Sequence, residues 1–67
     1  MKISYTNLWK LLIDRKMKKY QLRELAAISS NSMAKLGKDE PVSMDVLMKI
    51  CATLNYNMQD ICEFVKD

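Results

Sequence analysis

The stretch Leu22-Arg23-Glu24-Leu25-Ala26-Ala27-Ile28-Ser29-Ser30-Asn31-Ser32-Met33-Ala34-Lys35-Leu36-Gly37-Lys38 decides the fold. Leu22, Leu25 and Ala26 fall on one helical face, which predicts a brief helix over about 19–26. Ala26-Ala27 then supplies the small residues that a tight turn demands, and Ile28 supplies an apolar plug for it. Ser29 is a strong N-cap, because its hydroxyl accepts from the unpaired N–H groups of the next turn. A second helix follows over about 30–36, with Met33 and Leu36 inward. Gly37 offers the left-handed backbone that closes a helix.

Helical periodicity continues on both sides. Upstream, Tyr5, Leu8, Trp9, Leu12 and Ile13 keep the i, i+3, i+4 spacing of a helix over about 5–16, which the basic cluster from Arg15 ends. Met17-Lys18-Lys19 makes a short polar turn. Met1 to Tyr5 alternate like a short edge strand. Downstream, Lys38 to Val42 form a loop in which Pro41 pushes Glu40 toward extended geometry. Ser43 is the next N-cap, and Asp45 lies in the first turn, where the helix dipole favours an anion. Met44, Leu47, Ile50, Cys51 and Leu54 stripe a helix over about 44–54. Asn55-Tyr56-Asn57 breaks it, and Met58, Ile61, Cys62 and Val65 stripe a last helix over about 58–65.

Five short helices cannot line up as a long parallel bundle, so they must cross steeply around one core. The expected fold is all-α, a single domain over 1–67. Its expected core is Leu12, Leu22, Leu25, Ile28, Met33, Leu36, Leu47, Ile50, Cys51, Leu54 and Ile61. Trp9 is expected in or over that core. The six methionines suit a small irregular interior, since Met fills gaps readily.

Composition excludes much. A 67-residue chain has room for one small core and no large catalytic cleft beside it. At 49% apolar and 28% charged it is globular rather than disordered. No apolar run approaches the roughly 18–20 residues of a membrane span, and the start lacks the apolar core of a secretion signal. The expected location is cytoplasmic. There is no His, the usual general base and the commonest zinc ligand. Cys51 and Cys62 form no CxxC pair and read as reduced core thiols, with a redox switch as the sharper alternative. Asp39-Glu40 has no metal-spaced partner and reads as a solvated turn. No catalytic group, metal site or cofactor is expected, and the chain does not read as an enzyme.

The net charge of +3 conceals an asymmetry. Residues 1–38 sum to +7 and residues 39–67 to −4. The first half therefore suits a polyanion. Two short helices joined by a tight turn form a helix-turn-helix, and the second of them begins with short polar side chains. Ser30, Asn31 and Ser32 have the reach to read base edges, Asn pairing with adenine in two places. Lys35, one turn on, can reach a guanine or a phosphate. Lys18 and Lys19 open the first helix of the motif, which crosses the phosphate backbone. Lys38 and the caps Ser29 and Ser43 are further phosphate candidates.

Residues Leu22 through Phe64 resemble the phage-repressor and Cro-type (XRE-like) helix-turn-helix family. The carrying stretches are Leu22 to Lys38, Glu40-Pro41-Val42-Ser43 and Leu47 to Leu54. With the first helix the likeness spans about 60 residues. The resemblance implies a five-helix, lambda-repressor-like domain that places its third helix in the major groove of double-stranded DNA. It implies a homodimer on a short, roughly palindromic operator. Three departures stand out. The family often has Gly where this chain has Ala27, so the turn either avoids the left-handed region or strains Ala27. Lys18 and Lys19 replace a hydroxyl cap and a Gln, which should make backbone binding more salt-sensitive. No effector domain accompanies the motif, so no small-molecule ligand is expected. Dimerisation then falls to Met1–Tyr5, or to Tyr56, Phe64 and Val65, unless these cap the monomer core. Exposed Met residues and the acidic second half also suit a different reading: a protein-interaction module, such as an antitoxin, on the same scaffold.

Overall fold

The computed structural model describes residues Met1–Lys66; Asp67, counted above in the acidic half, lies outside the described residues. The elements run β1 (Lys2–Ser4), α1 (Thr6–Asp14), α2 (Lys19–Ala26), α3 (Ser30–Gly37), α4 (Met44–Leu54), α5 (Met58–Ile61) and β2 (Glu63–Val65). α2, α3 and α4 stand where periodicity put them, α1 ends at Asp14 rather than at about residue 16, where Lys16 is already left-handed, and the fold is not strictly all-α. β1 and β2 pair as an antiparallel ribbon with Lys2 opposite Val65, Ile3 opposite Phe64 and Ser4 opposite Glu63. The expected edge strand is real, and its partner comes from the second half of the expected last helix. That helix stops at Ile61, and Cys62 turns fully extended at φ −147° and ψ 159°. Phe64 and Val65 favour a pleated surface, and β1 offers their backbone groups partners that a frayed helix end lacks. A stripe two turns long does not separate these outcomes.

Each of α1 to α4 is followed by a non-glycine residue in the left-handed region: Lys16, Ala27, Asp39 and Asn55, all at φ 55–60°. Gly37 is not among them. It lies inside α3, and the closing conformation expected of it falls to Asp39. Asp and Asn tolerate this backbone because their short polar side chains bond locally. The Asp39 carboxylate is held in place, accepting from the Tyr5 N–H at 3.1 Å. Ala27 has no such help. It sits at φ 55°, ψ 43°, which decides the open question about the turn in favour of strain. Its N–H reaches Glu24 O and the Ile28 N–H reaches Arg23 O, both at 3.2 Å, so the end of α2 is closed by backbone alone.

The core joins Tyr5, Leu8, Leu12, Leu22, Ala26, Ile28, Leu36, Leu47, Ile50, Leu54 and Ile61. Leu25 was expected there and is instead 64% exposed. Leu22 and Ala26, one turn apart, define the buried edge of α2, and Leu25, about 100° round the helix from Ala26, lies past the margin of that edge. Met33 and Cys51 pack half-buried at the margin. Tyr5 and Leu8 belong to the centre. The Tyr5 hydroxyl donates to Glu40 O at 2.8 Å. Its two bonds tie the start of α1 to the loop after α3, and burial, helped by Cys62 and Asp39, pushes its pKa up. Arg15 is equally structural. Its guanidinium donates to Leu54 O at the end of α4 and lies 5.0 Å from the Tyr56 ring centre. It satisfies a carbonyl that α4 itself leaves without a helical donor.

The left-handed conformation costs an L-residue about 1–2 kcal/mol, part of which glycine gives back as greater freedom in the unfolded chain. Ala27→Gly should therefore raise stability, by about 0.5–1 kcal/mol after that offset. Urea denaturation followed by circular dichroism measures it; an unchanged or lower midpoint would contradict the strain.

Candidate nucleic-acid interface

α3 is anchored from behind. Leu36 is fully buried and Met33 half-buried, which turns Ser30, Asn31, Ala34 and Lys35 to solvent. Asn31, Lys35 and Lys38 follow one another at intervals of four and three residues, so they line one edge of the helix and its continuation. The start of α3 is fixed by Ser29, extended at φ −74° and ψ 159°. Its Oγ accepts from the Ser32 N–H at 3.0 Å and donates to Ser32 Oγ at 3.1 Å. Ser32 is half-buried, and its hydroxyl keeps its own proton for another partner. Ser30 and Asn31 carry short polar groups with open approach; Ser29 spends its one hydroxyl proton inside the cap.

α2 precedes α3 in the motif and begins at Lys19. Lys18 is the N-cap residue, extended at φ −89° and ψ 158°. A lysine has no acceptor with which to cap. The capping is one-sided: the Lys18 N–H donates to Gln21 Oε1 at 2.8 Å. Lys18 and Lys19 are both exposed. Lys19 is not a free rotor, because its Nζ rests 4.4 Å from the centre of the Trp9 ring. Trp9 itself packs half-buried against the core from α1. Lys38 stands exposed just after α3. Ser43 caps α4, its Oγ accepting from the Val46 N–H at 3.3 Å, which leaves its proton available. An acid shares that turn: Asp45, paired with Lys49 at 3.3 Å.

The chain thus exposes a polar edge on α3, two lysines at the start of α2 and one lysine beyond α3. Sequence reasoning missed the use of Trp9 and Arg15. Both act through residues distant in the chain, Lys19 and Leu54, so no local spacing signals them. Cys51 and Cys62 are free thiols, half-buried, and burial pushes both pKa values up, which keeps them protonated and unreactive at neutral pH. Among the described residues no helix is long and apolar enough to cross a membrane.

A family model for the Cro/C1-type helix-turn-helix DNA-binding domain matches residues 7–67. The chain belongs to the Cro/C1-type helix-turn-helix DNA-binding family. The crystal structure of transcriptional regulator VanUg, form II, superposes with a TM-score of 0.95 at 52% identity, covering 98% of this chain and 88% of that one. No curated protein matches. Within this Cro/C1-type domain, α2 and α3 are the two helices of the motif, and Ala27 is its left-handed corner. The cap at Ser29 sets where α3 begins, so it sets which side chains the domain offers.

Ser29→Ala removes an acceptor for the Ser32 N–H and should lower stability by about 1 kcal/mol, while Ser29→Asp should retain most of it. Chemical denaturation of both variants measures this; no loss in Ser29→Ala would show that the cap contributes nothing.

Proposed function

We propose that the chain is a sequence-specific, DNA-binding transcriptional regulator that inserts α3 into the major groove. The observation that carries this reading is the exposed edge of Ser30, Asn31 and Lys35 on a helix whose other side is locked into the core by Leu36. Likeness to the transcriptional regulator VanUg supports the regulatory part. Ser30, Asn31, Ser32 and Lys35 read bases; Asn31 has the amide geometry for adenine and Lys35 for guanine. Lys18, Lys19 and Lys38 hold phosphates, with Ser43 donating its free hydroxyl proton. Ser29 joins them by redirecting its proton from Ser32. The activity requires no cofactor and no catalytic group, and the protein works in the cytoplasm.

The homodimer implied for such a regulator finds support in an exposed apolar face. Phe64 is 73% and Met1 79% exposed, and Phe64 overhangs a groove of about 690 Å³ lined by Ile3, Val42, Met44 and Met58. A two-fold axis through this face lets each Phe64 enter the groove of the other copy, since knob and groove belong to the same surface.

Selection of bound duplexes from a random pool, at stated salt, tests the reading. The expected result is a short palindrome with half-sites one helical turn apart. Recovery of no preferred sequence would overturn it, and retention of a stable protein partner without duplex would favour an interaction module. On the selected site, Asn31→Ala should cost about 1–3 kcal/mol and relax one position. Lys38→Ala should weaken all duplexes and reduce the salt slope by about 0.9. Phe64→Ser should shift the protein toward monomer in sedimentation equilibrium; an unchanged association state would remove Phe64 from the interface.

A further inference from the structure

Trp9 has no polar task in the fold and no place on α3. Its ring nevertheless carries the ammonium of Lys19, 4.4 Å from the ring centre. The two residues lie on different elements, α1 and α2, and meet at the first helical position of α2. A carboxylate in the same place would hold Lys19 by neutralising it. An aromatic face holds it by its quadrupole and leaves the full positive charge and the N–H donors in play. Trp9 is fixed from below by packing against the core, so the platform does not move. A lysine chain normally loses much rotamer freedom when a phosphate captures its head. Here the chain is already laid along a rigid surface before any phosphate arrives.

We infer that Trp9 is a positioning residue for DNA binding: its indole face holds Lys19 extended and charged at the start of α2, ready for a backbone phosphate. The inference rests on the DNA-binding function proposed above. Trp9 itself touches no base, and its contribution passes through Lys19 alone. Replacing Trp9 with leucine should therefore weaken duplex binding about two- to ten-fold, the range that ordering one rotamer-rich side chain costs on binding. Trp9→Phe keeps an aromatic face and should retain most of the affinity.

The test is a double-mutant cycle on a duplex, measured by fluorescence anisotropy of labelled DNA over a series of salt concentrations, for the wild type, W9L, W9F, K19M and the doubles. K19M should lower the salt slope by about 0.9. W9L should leave the slope unchanged and lower affinity, and it should have no further effect in the K19M background. Losses that simply add, or a W9F variant as weak as W9L, would overturn the inference while leaving DNA binding intact. Failure of the wild type to bind any duplex would overturn both readings. A second readout needs no variant that must fold. Nuclear magnetic resonance of the wild type should show the Lys19 side-chain methylene protons next to nitrogen shifted upfield by the indole ring current, free and bound to duplex. Unshifted protons in the free protein, or loss of the shift on binding, would contradict the inference.

Discussion

The corner between α2 and α3 is the constraint on which everything else depends. Ala27 takes a left-handed backbone that L-residues avoid, and the buried Ile28 beside it fixes the direction in which the chain leaves. The strain is tolerable because both flanking helices are anchored: α2 by Leu22 and Ala26, α3 by Leu36. A different backbone at Ala27 would rotate α3 against α2. The residues facing solvent would then change, and the edge that Asn31 and Lys35 share would turn as a unit with α3. In a small domain with little area to bury, one such corner fixes a large share of the geometry.

Cations in this molecule divide into two kinds. Arg15 belongs to the fold, since its guanidinium satisfies the end of α4 and covers Tyr56. Lys49 is spent on Asp45 within α4, in an exposed pair that adds little to stability. Lys18, Lys19, Lys35 and Lys38 are exposed around α2 and α3. The +7 of the first half therefore overstates what α2 and α3 present: Arg15 is spent on the fold, Lys2 lies on β1, Lys10 on α1 and Lys16 in the turn after it. The acids Asp39 and Glu40 lie in the loop that Tyr5 clasps, one through its carboxylate and the other through its carbonyl.

Much of this was legible in the residues. The limits of α2 and α4, both serine caps and most of the core follow from spacing and capping chemistry, because these are local rules. The errors share a cause: in each, a distant partner decided. Phe64 and Val65 left the helix pattern because β1, some sixty residues away, offers them a ladder. Gly37 was passed over because Tyr5 holds Asp39 in the closing conformation instead. Leu25 faces out because the buried edge of α2 is set by where α4 packs, and two turns of sequence leave that edge ambiguous. Of the candidates on α3, Ser30, Asn31 and Lys35 are exposed as a polar helix start implies and Ser32 is half-buried, whereas the pairing of Trp9 with Lys19 crosses elements and left no trace in the spacing.

The proposed function sets α3 and the start of α2 together against duplex DNA. Backbone amide shifts of the isotope-labelled protein, followed during titration with a preferred duplex, measure it directly. The largest changes should fall on Lys18 to Gln21, Ser29 to Lys35 and Lys38 to Ser43, with β1 and β2 nearly unmoved. Changes centred on the β1–β2 ribbon and α5, with α3 silent, would contradict it.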